Sequence, residues 1–179
     1  GHTFRFNRQH SYVDNNRMRL QMTFPELTLQ DSESDIALSA YLHNSYDLSE
    51  GVRFIFGSIR YICSNGCVFG NVLSRYYSKH TSGFSFENLG EKLSQATEYF
   101  PEIQERIYRL ERLPVDETLV EKVSEKISKR LAEQVIEEHE IGCISQWKLY
   151  NRLTNYASHE LDSALSARYQ DRISNVFNL

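Results

Sequence analysis

The sequence contains little proline and glycine, and it lacks any long apolar run. Three prolines and 8 glycines in 179 residues exclude collagen-like and low-complexity chains. No apolar stretch approaches the roughly 20 residues that a membrane-spanning helix requires, and no charged leader precedes an apolar stretch as in a signal peptide. A hydrophobic content of 40%, with 11 Tyr and 10 Phe, excludes intrinsic disorder. We therefore expect a globular cytoplasmic protein that does not associate with membranes.

Cysteine is also scarce. The chain has only three cysteines, Cys63, Cys67 and Cys143, and an odd number is poor material for a disulfide framework. We expect reduced thiols, as in cytoplasmic proteins, with at least one of them buried as a small hydrophobic side chain.

An excess of basic residues is missing as well. The chain holds 20 basic and 24 acidic residues, a net charge of −4. Residues 1–86 hold 8 basic and 7 acidic residues, whereas residues 87–179 hold 12 and 17. The overall basic charge that is typical of nucleic-acid binders is therefore absent. Any such site must be a local patch, and the first half of the chain is the better place for it.

The periodicity of the apolar residues changes near the middle of the chain. Up to residue 72 it follows a period of two, as in residues 18–24, which is typical of β-strands. From Glu87 onward apolar residues recur every three or four positions, which is typical of helices. The sequence predicts an α+β fold in which an antiparallel β-sheet from the N-terminal half is covered by three to four helices from the C-terminal half.

A single domain over residues 1–179 is the expected organisation, with residues 1–86 mainly β and residues 87–179 mainly α. Gly1-His2 is typical of an expression remnant. A piece of a longer protein is one interpretation of this chain.

Turn-forming residues predict where the strands are interrupted. Pro25 should either interrupt the sheet ladder or start a new edge strand. Gly57 should form a bulge, and residues 44–47 should form a turn. Asn65-Gly66 is the strongest local signal, since this pair suits a tight hairpin turn. The hairpin would bring Cys63 and Cys67 close together.

Capping and breaking residues predict the helices. Asp116 and Ser145 are candidate N-caps, and Pro101 should either kink the first helix or separate two helices. An apolar stripe over residues 119–135 predicts one helix that Gly142 ends. The following helix should bury its apolar face against the sheet, with the side chains of Leu149, Leu153 and Tyr156 and with Trp147 nearby.

Cys63, Cys67 and His80 raise the question of a metal site or a catalytic thiol. Closed zinc sites usually have two close cysteine pairs, and this chain has one pair with a three-residue gap. A catalytic cysteine is often activated at a helix N-terminus, and neither cysteine precedes a predicted helix. We therefore expect no metal and no cofactor, and the sequence assigns no catalytic residue.

Basic and aromatic residues alternate in the segment that follows the predicted hairpin. Such interleaving is typical of single-strand binders, in which cations contact phosphates and tyrosines stack on bases. The more ordinary interpretation is a solvated loop whose tyrosines pack against the sheet. We expect a mobile, partly exposed segment that contacts single-stranded nucleic acid. The candidate nucleic-acid-binding residues are Arg53, Arg60, Arg75, Tyr76, Tyr77, Lys79 and His80.

Several short motifs occur in an order that resembles the phage/plasmid-like family of domains of unknown function. They are an Asn-Ser-aromatic-Asp turn, an Arg-x-x-Cys-Ser-Asn-Gly hairpin, a His-Thr pair and a Leu-Tyr-Asn-x-x-Thr helix, and together they span residues 36–160. Leu48 departs from the family pattern, which commonly has glycine there, and the chain is short for the family. The matching residues are Asn44, Asp47, Arg60, Cys63, Asn65, Gly66, His80, Thr81, Tyr150, Asn151 and Thr154.

The resemblance implies a cytoplasmic protein of a mobile element, and it transfers no catalytic role. We favour a non-enzymatic, nucleic-acid-associated accessory module. One alternative is an enzyme that acts on nucleic acid or nucleotides, with a pocket around Arg60, Asn65 and His80 and with Lys79 nearby. A second alternative is a protein-interaction module or an inhibitor of host defence, with a protein as the partner.

Overall fold

The computed structural model describes residues 3–6, 8, 11–13, 16–32, 35–47, 51–60, 66–67, 75–78 and 86–179. Its chain contacts divide the protein into two compact units. Unit 1 comprises residues 1–64 and 72–100, and unit 2 comprises residues 65–71 and 101–179. The expectation of a single domain over residues 1–179 stays a prediction.

Strands precede helices along the described part of the chain. The strands are β1 (Arg5–Phe6), β2 (Tyr12–Val13), β3 (Arg17–Gln30), β4 (Asp35–Ser45), β5 (Val52–Arg60), β6 (Gly66–Cys67) and β7 (Arg75–Ser78). The helices are α1 (Phe86–Arg112), α2 (Glu117–Lys126), α3 (Lys129–Val135), α4 (Gln146–His159) and α5 (Ser163–Phe177), with a 3-10 turn at Glu138–Glu140. This order confirms the predicted α+β fold.

An antiparallel sheet dominates unit 1. Its longest strand, β3, pairs with β4 on one edge and with the short strands β1 and β2 on the other. Strand β4 pairs with β5, and β5 pairs with β7. Because residues in matching register positions lie on the same face of a sheet, these pairings fix which side chains share a face.

The two faces of this sheet differ in polarity. One face carries apolar residues in matching register positions, namely Leu20, Leu42 and Phe54. On the other face Gln21 lies opposite Tyr41 and Thr23 lies opposite Ser39, and all four are buried. The Thr23 and Ser39 hydroxyls form a hydrogen bond of 3.3 Å. Buried polar groups need such partners, so this part of the second face is both polar and buried.

The predicted interruption at Pro25 is confirmed. The register between β3 and β4 shifts between Phe24 and Thr28, on either side of this proline, which has no N–H to donate to the ladder. The predicted bulge at Gly57 is wrong. Gly57 pairs with Ser39 in an unbroken register, and these two small, buried residues let the backbones of β4 and β5 stay regular.

The predicted turn at residues 44–47 is shorter than expected. Strand β4 runs through Asn44 to Ser45, and Tyr46 and Asp47 form the turn. The Tyr46 amide donates a hydrogen bond of 2.7 Å to the Asn16 carbonyl. The ladder therefore includes the polar pair that the sequence placed in the turn.

Helix α1 runs without a break through Pro101. Of the two predicted outcomes, a division into two helices is therefore excluded. Ile103 and Ile107 continue the apolar stripe after the proline, and both are fully buried. A proline removes one backbone hydrogen bond from a helix, and burial of this stripe maintains the helix across the loss.

The single helix predicted over residues 119–135 is wrong, because two helices occupy this range. Helix α2 ends at Lys126, and Ser128 caps α3 with extended backbone, its hydroxyl accepting from the Leu131 amide. The apolar stripe continues across the break, with Ile127 and Leu131 both buried. Continuity of the stripe therefore concealed the cap.

The predicted helix end at Gly142 is also wrong. Helix α3 ends at Val135, and Gly142 lies in the turn before α4 with a φ of +81°. Its amide donates a hydrogen bond of 2.8 Å to the Val115 carbonyl. Glycine adopts this left-handed conformation without steric cost, so it serves a turn rather than a helix end.

Helix α4 supplies much of the core of unit 2, as its predicted apolar face requires. Trp147, Leu149 and Leu153 are buried, as predicted, and within unit 2 their helix packs against α5, α3 and β6. The Trp147 ring stacks on Tyr150 with 5.0 Å between centroids, and Tyr150 meets Phe177 of α5 edge-on at 5.4 Å. These aromatic contacts join the two helices.

Tyr156 departs from the predicted pattern of α4. It is half-buried, and its hydroxyl donates a hydrogen bond of 3.0 Å to the Gln134 amide oxygen of α3. The side chain therefore has an apolar body against the unit and a polar tip at its surface.

Among the described residues, no helix is both long and apolar enough to cross a membrane.

Candidate nucleic-acid interface

Three nitrogen-bearing side chains lie in one line across the central strands of unit 1. Arg19 of β3 is opposite His43 of β4, and His43 is opposite Arg53 of β5. Matching register places all three on the polar face of the sheet. We call these three residues the Arg–His–Arg row.

Tyrosines occupy the register positions at both ends of this row. Tyr12 of β2 lies opposite Arg19, and its side chain is 48% exposed. On the far side, Tyr77 of β7 lies opposite Arg53. The order across five strands is therefore tyrosine, arginine, histidine, arginine, tyrosine.

The next register row on the same face, which contains Gln21 and Tyr41, lies beside the Arg–His–Arg row and contacts it. The Arg19 guanidinium carbon lies 5.4 Å from the centroid of the Tyr41 ring, within the range of a cation–π contact. The Gln21 amide nitrogen donates a hydrogen bond of 3.2 Å to the Tyr41 hydroxyl. These contacts restrain Arg19 against the sheet.

Burial and the two flanking arginines determine the protonation state of His43. Burial, and to a smaller extent the positive charges of Arg19 and Arg53, together lower the pKa of His43 from 6.5 to about 4. His43 is therefore neutral near pH 7. A bound anion would reduce the repulsion among these groups, so the row favours a negatively charged ligand.

Two buried polar atoms on this face lack hydrogen-bond partners among the described residues. They are the Nε of Arg19 and the Oε1 of Gln21. A buried group of this kind costs free energy unless a water or a ligand satisfies it. The unsatisfied Arg19 donor lies within the Arg–His–Arg row, where it adds to the attraction for an acceptor.

The register brings together part of the binding set predicted from the sequence. Arg53 lies opposite Tyr77, and Arg75 lies opposite Ile55 one register row away on the same face. Tyr76 is opposite Phe54 and so occupies a position of the other, apolar face. Lys79 and His80 fall outside the described residues.

Arg60 does not join the Arg–His–Arg row. It ends β5 opposite Ile36, at the far end of the β4–β5 ladder from Arg53. Its register position also belongs to the apolar face, since Ile36 and Leu42 are separated by an even number of residues. Sequence proximity to the predicted hairpin therefore grouped Arg60 with residues that the fold separates from it.

The first four residues of the segment predicted to bind nucleic acid form a strand rather than a solvated loop, and the mobility and exposure of the segment stay predictions. Arg75–Ser78 is strand β7, which pairs with β5 from Ile55 to Val52. Two adjacent tyrosines have high strand propensity, and the edge of β5 provides a partner for them. The basic and aromatic residues are therefore presented by a sheet.

The residues that match the family motifs fall in both units. In unit 1, Asn44 is the next-to-last residue of β4, with its buried Oδ1 unpartnered among the described residues, and Asp47 is exposed in the turn. In unit 2, Tyr150 and Thr154 are buried in α4, where the Thr154 hydroxyl donates to the Tyr150 carbonyl at 3.0 Å. These two residues have structural roles in the helix.

Only some of the remaining motif residues lie in the part of the chain that the structure describes. Asn151 of α4 is half-buried, and its side-chain nitrogen has no hydrogen-bond partner among the described residues. Strand β6, which begins at Gly66, lies against α4 within unit 2. The hairpin prediction itself falls outside the described residues, as do the motif residues Cys63, Asn65, His80 and Thr81.

Metal ligands do not cluster in the part of the chain that the structure describes. The predicted candidates Cys63 and His80 lie outside it, and only the backbone of Cys67 is described. Cys143 carries a free, exposed thiol.

Sequence reasoning missed Arg19, His43, Gln21 and Tyr41 as parts of this site. The sequence feature that could have indicated them is the set of polar positions between the apolar ones. Arg19 and Gln21, for example, alternate with Met18, Leu20 and Met22. Polar residues at such positions usually face solvent. Only the register between β3, β4 and β5 shows that the two arginines flank one histidine.

A family model described as DUF932, a domain of unknown function, matches residues 4–176. No curated protein matches the sequence, and no solved structure matches it. The family match extends over both units.

Proposed function

The chain belongs to DUF932, a domain of unknown function, and from this premise we propose that it is a non-enzymatic binding module for single-stranded nucleic acid. The observation that carries the proposal is the Arg–His–Arg row, with tyrosines at both of its ends. Single-strand binders combine cations for the phosphates with aromatic rings for the bases. This face of unit 1 brings both kinds of residue into one row.

The two arginines would contact the phosphates. A guanidinium can donate two parallel hydrogen bonds to one phosphate, and Arg19 has a buried donor without a partner among the described residues. His43 is neutral near pH 7, so it would add one hydrogen bond to the phosphate and no further positive charge. Tyr12, with nearly half of its side chain exposed, would stack on a base.

The charge of the whole chain limits the expected affinity. A net charge of −4 opposes binding of a polyanion at long range. Binding therefore depends on the local row, and two phosphate contacts would give a log Kd that changes by roughly 1.4 per log unit of salt. Weak, strongly salt-dependent binding is the expected behaviour.

The proposed biological setting is the cytoplasm, as an accessory protein of a phage or plasmid. Its support is the order of the short motifs over residues 36–160, together with the odd number of cysteines.

Fluorescence anisotropy with a labelled oligothymidylate of about 20 nucleotides at low salt tests the proposal. The double variant Arg19→Gln, Arg53→Gln should weaken binding by roughly tenfold or more, because it removes both phosphate contacts. Arg112→Gln with Arg130→Gln makes the same charge change at exposed sites of unit 2, and it should retain most of the wild-type affinity. Equal weakening in both double variants would reduce the effect to net charge and contradict the proposal.

A second double variant, Arg75→Ala with Lys79→Ala, tests the segment predicted from the sequence. It should weaken binding less than the Arg19 and Arg53 variant does, because those two arginines flank His43 directly. If the wild type and both of these variants bind equally poorly, nucleic acid is not the ligand.

One observation favours a protein partner as the second candidate. Phe4, Phe6 and Val13 are large apolar residues near the start of the chain, and they are 49%, 55% and 63% exposed. The Phe4 and Phe6 rings meet edge-on with 5.3 Å between centroids. Exposed apolar clusters of this kind often mark interaction surfaces. Failure of the nucleic-acid experiment would make this cluster the leading candidate.

A further inference from the structure

Unit 2 contains a cavity of about 410 Å³ that the proposed function does not use. It lies where the end of α1 meets the start of α2, the start of α4 and the end of α5, as its lining residues Leu110, Thr118, Gln146 and Phe177 show. Pockets for small molecules typically enclose about 300–1,000 Å³. The cavity therefore has room for a ligand of nucleotide size.

The charge of the cavity is opposite to that of the surrounding unit. Residues 101–179 hold 14 acidic and 11 basic residues. The cavity is lined by three of these basic residues, Arg106, Arg109 and Lys122, and by one acidic residue, Asp116. Convergence of cations in an acidic region is a charge pattern that suits an anionic ligand.

Asp116 is already engaged in the structure of α2. As the N-cap it accepts a hydrogen bond of 2.7 Å from the Leu119 amide. Its charge therefore compensates the start of the helix, and it leaves the lining of the cavity positive.

The three cations differ in how far they are engaged. Arg106 bonds to the Asn178 carbonyl and forms a salt bridge of 2.7 Å with Glu102. In contrast, the side chains of Arg109 and Lys122 have no ion-pair or hydrogen-bond partner among the described residues, and both residues are exposed. Two cations, one from α1 and one from α2, are thus available to a ligand.

Apolar side chains form the rest of the wall. Leu110, Leu119 and Phe177 are nearly fully buried behind the cavity, and Leu113 is 36% exposed along it. Such a wall accepts a non-polar body better than a fully hydrated ion. The ligand should therefore combine an anionic group with an organic body.

We propose that this cavity binds a small organic phosphate, with the phosphate between Arg109 and Lys122 and the organic body against Leu110, Leu113 and Phe177. Arginine presents a fork of donors that matches phosphate oxygens, and lysine adds a compact positive charge. The site lies entirely within unit 2, and it shares no residue with the Arg–His–Arg row.

Isothermal titration calorimetry of the full chain with four probes tests this site. The probes are adenosine 5′-monophosphate, glucose 6-phosphate, adenosine and inorganic phosphate. We expect at least one of the two organic phosphates to bind, and to bind more tightly than both adenosine and inorganic phosphate. Preference for the nucleotide indicates a nucleotide site, whereas equal binding of both indicates a general site for organic phosphates. Either result supports the proposal.

Variants on the same two helices locate the binding. Arg109→Gln with Lys122→Gln should raise the Kd of the organic phosphate roughly tenfold or more. Arg112→Gln with Lys126→Gln lies on the same helices, makes the same charge change and should alter the Kd by less than about twofold. All four residues are exposed, so circular dichroism should show that both variants fold.

Three results would overturn the proposal. The first is that neither organic phosphate binds at millimolar concentration, and the second is that inorganic phosphate binds as tightly as they do. The third is that the Arg109→Gln, Lys122→Gln variant binds with the wild-type Kd. The Arg19→Gln, Arg53→Gln variant should give the wild-type titration, because neither residue lines the cavity. Its loss of oligonucleotide binding therefore tests the proposed function separately from this site.

Discussion

His43 shows how two neighbouring residues determine the chemistry of a third. The same imidazole in water would be partly protonated near pH 6.5, whereas burial and the charges of Arg19 and Arg53 hold its pKa at about 4. The row therefore carries two fixed positive charges and one neutral hydrogen-bonding group at neutral pH. This arrangement keeps the imidazole available as a neutral partner for a ligand.

The lowered pKa of His43 predicts a loss of stability in mild acid. Between pH 4 and 6.5 the unfolded chain binds a proton at this residue that the folded protein does not, so the free energy of unfolding falls as the pH falls. The total loss should be roughly 2–3 kcal/mol after allowance for partial solvent exposure. Urea titrations at about pH 7 and about pH 4.5 measure it.

His43→Gln should remove most of this difference between the two pH values, because glutamine does not titrate. His159→Gln is the matched control, since His159 lies exposed at the end of α4, and it should keep the wild-type difference. An unchanged difference in the His43 variant would show that another group causes the acid sensitivity.

Leu153 tests the core of unit 2 at the level of one side chain. It is fully buried in α4, so Leu153→Ala should lower the free energy of unfolding by roughly 2–5 kcal/mol through lost burial and a residual cavity. Asn155→Ala on the exposed face of the same helix should change it by less than about 0.5 kcal/mol. A loss below about 1 kcal/mol for Leu153→Ala in urea titration would remove it from the core.

At the level of elements, the sequence predicts types well and boundaries less well. Alternation identified the strand that contains Met18 and Leu20, and cap chemistry placed the starts of α2 and α4 at Asp116 and Ser145. The break at Ser128 was missed because the apolar stripe continues across it. The spacing of apolar residues indicates which face of a helix is buried, but it does not show at which residue the helix ends.

The candidate site was predictable only in part for a similar reason. The sequence indicated that Arg53 and the segment after residue 74 combine cations with tyrosines, and the register of β5 and β7 places Arg53 opposite Tyr77. Arg19 and His43 could not be added, because their proximity depends on how β3 and β4 are aligned. A shift of one residue in either strand would move each side chain to the opposite face.

The N-cap of α2 gives the element-scale prediction. Asp116 accepts the Leu119 amide at 2.7 Å, so Asp116→Ala should destabilise the protein by about 1 kcal/mol. Asp116→Asn should retain most of that stability, because asparagine also caps helices. Thermal unfolding followed by circular dichroism compares the three proteins. An alanine variant that melts at the wild-type temperature would show that the Asp116 cap does not contribute to stability.

At the scale of the whole molecule, positive charge is local in a chain that is acidic overall. The net charge is −4, yet Arg19 and Arg53 lie on either side of one histidine in unit 1, and three cations line the cavity of unit 2. Local clusters of this kind select a ligand at short range, whereas the net charge governs attraction at long range. The account therefore predicts binding that is specific in place and modest in strength.

Photocrosslinking with a single-stranded oligonucleotide that carries 4-thiothymidine, followed by mass spectrometry of the peptides, tests the central claim most directly. Tyr12 is exposed beside Arg19 at the end of the Arg–His–Arg row, so a base stacked there should crosslink to the peptide that contains Tyr12. The crosslinking yield should fall in the Arg19→Gln, Arg53→Gln variant. It should stay at the wild-type value in the Arg112→Gln, Arg130→Gln control. Crosslinks confined to peptides of unit 2, or a Tyr12 yield that is the same in all three proteins, would contradict the assignment of this face as the nucleic-acid interface.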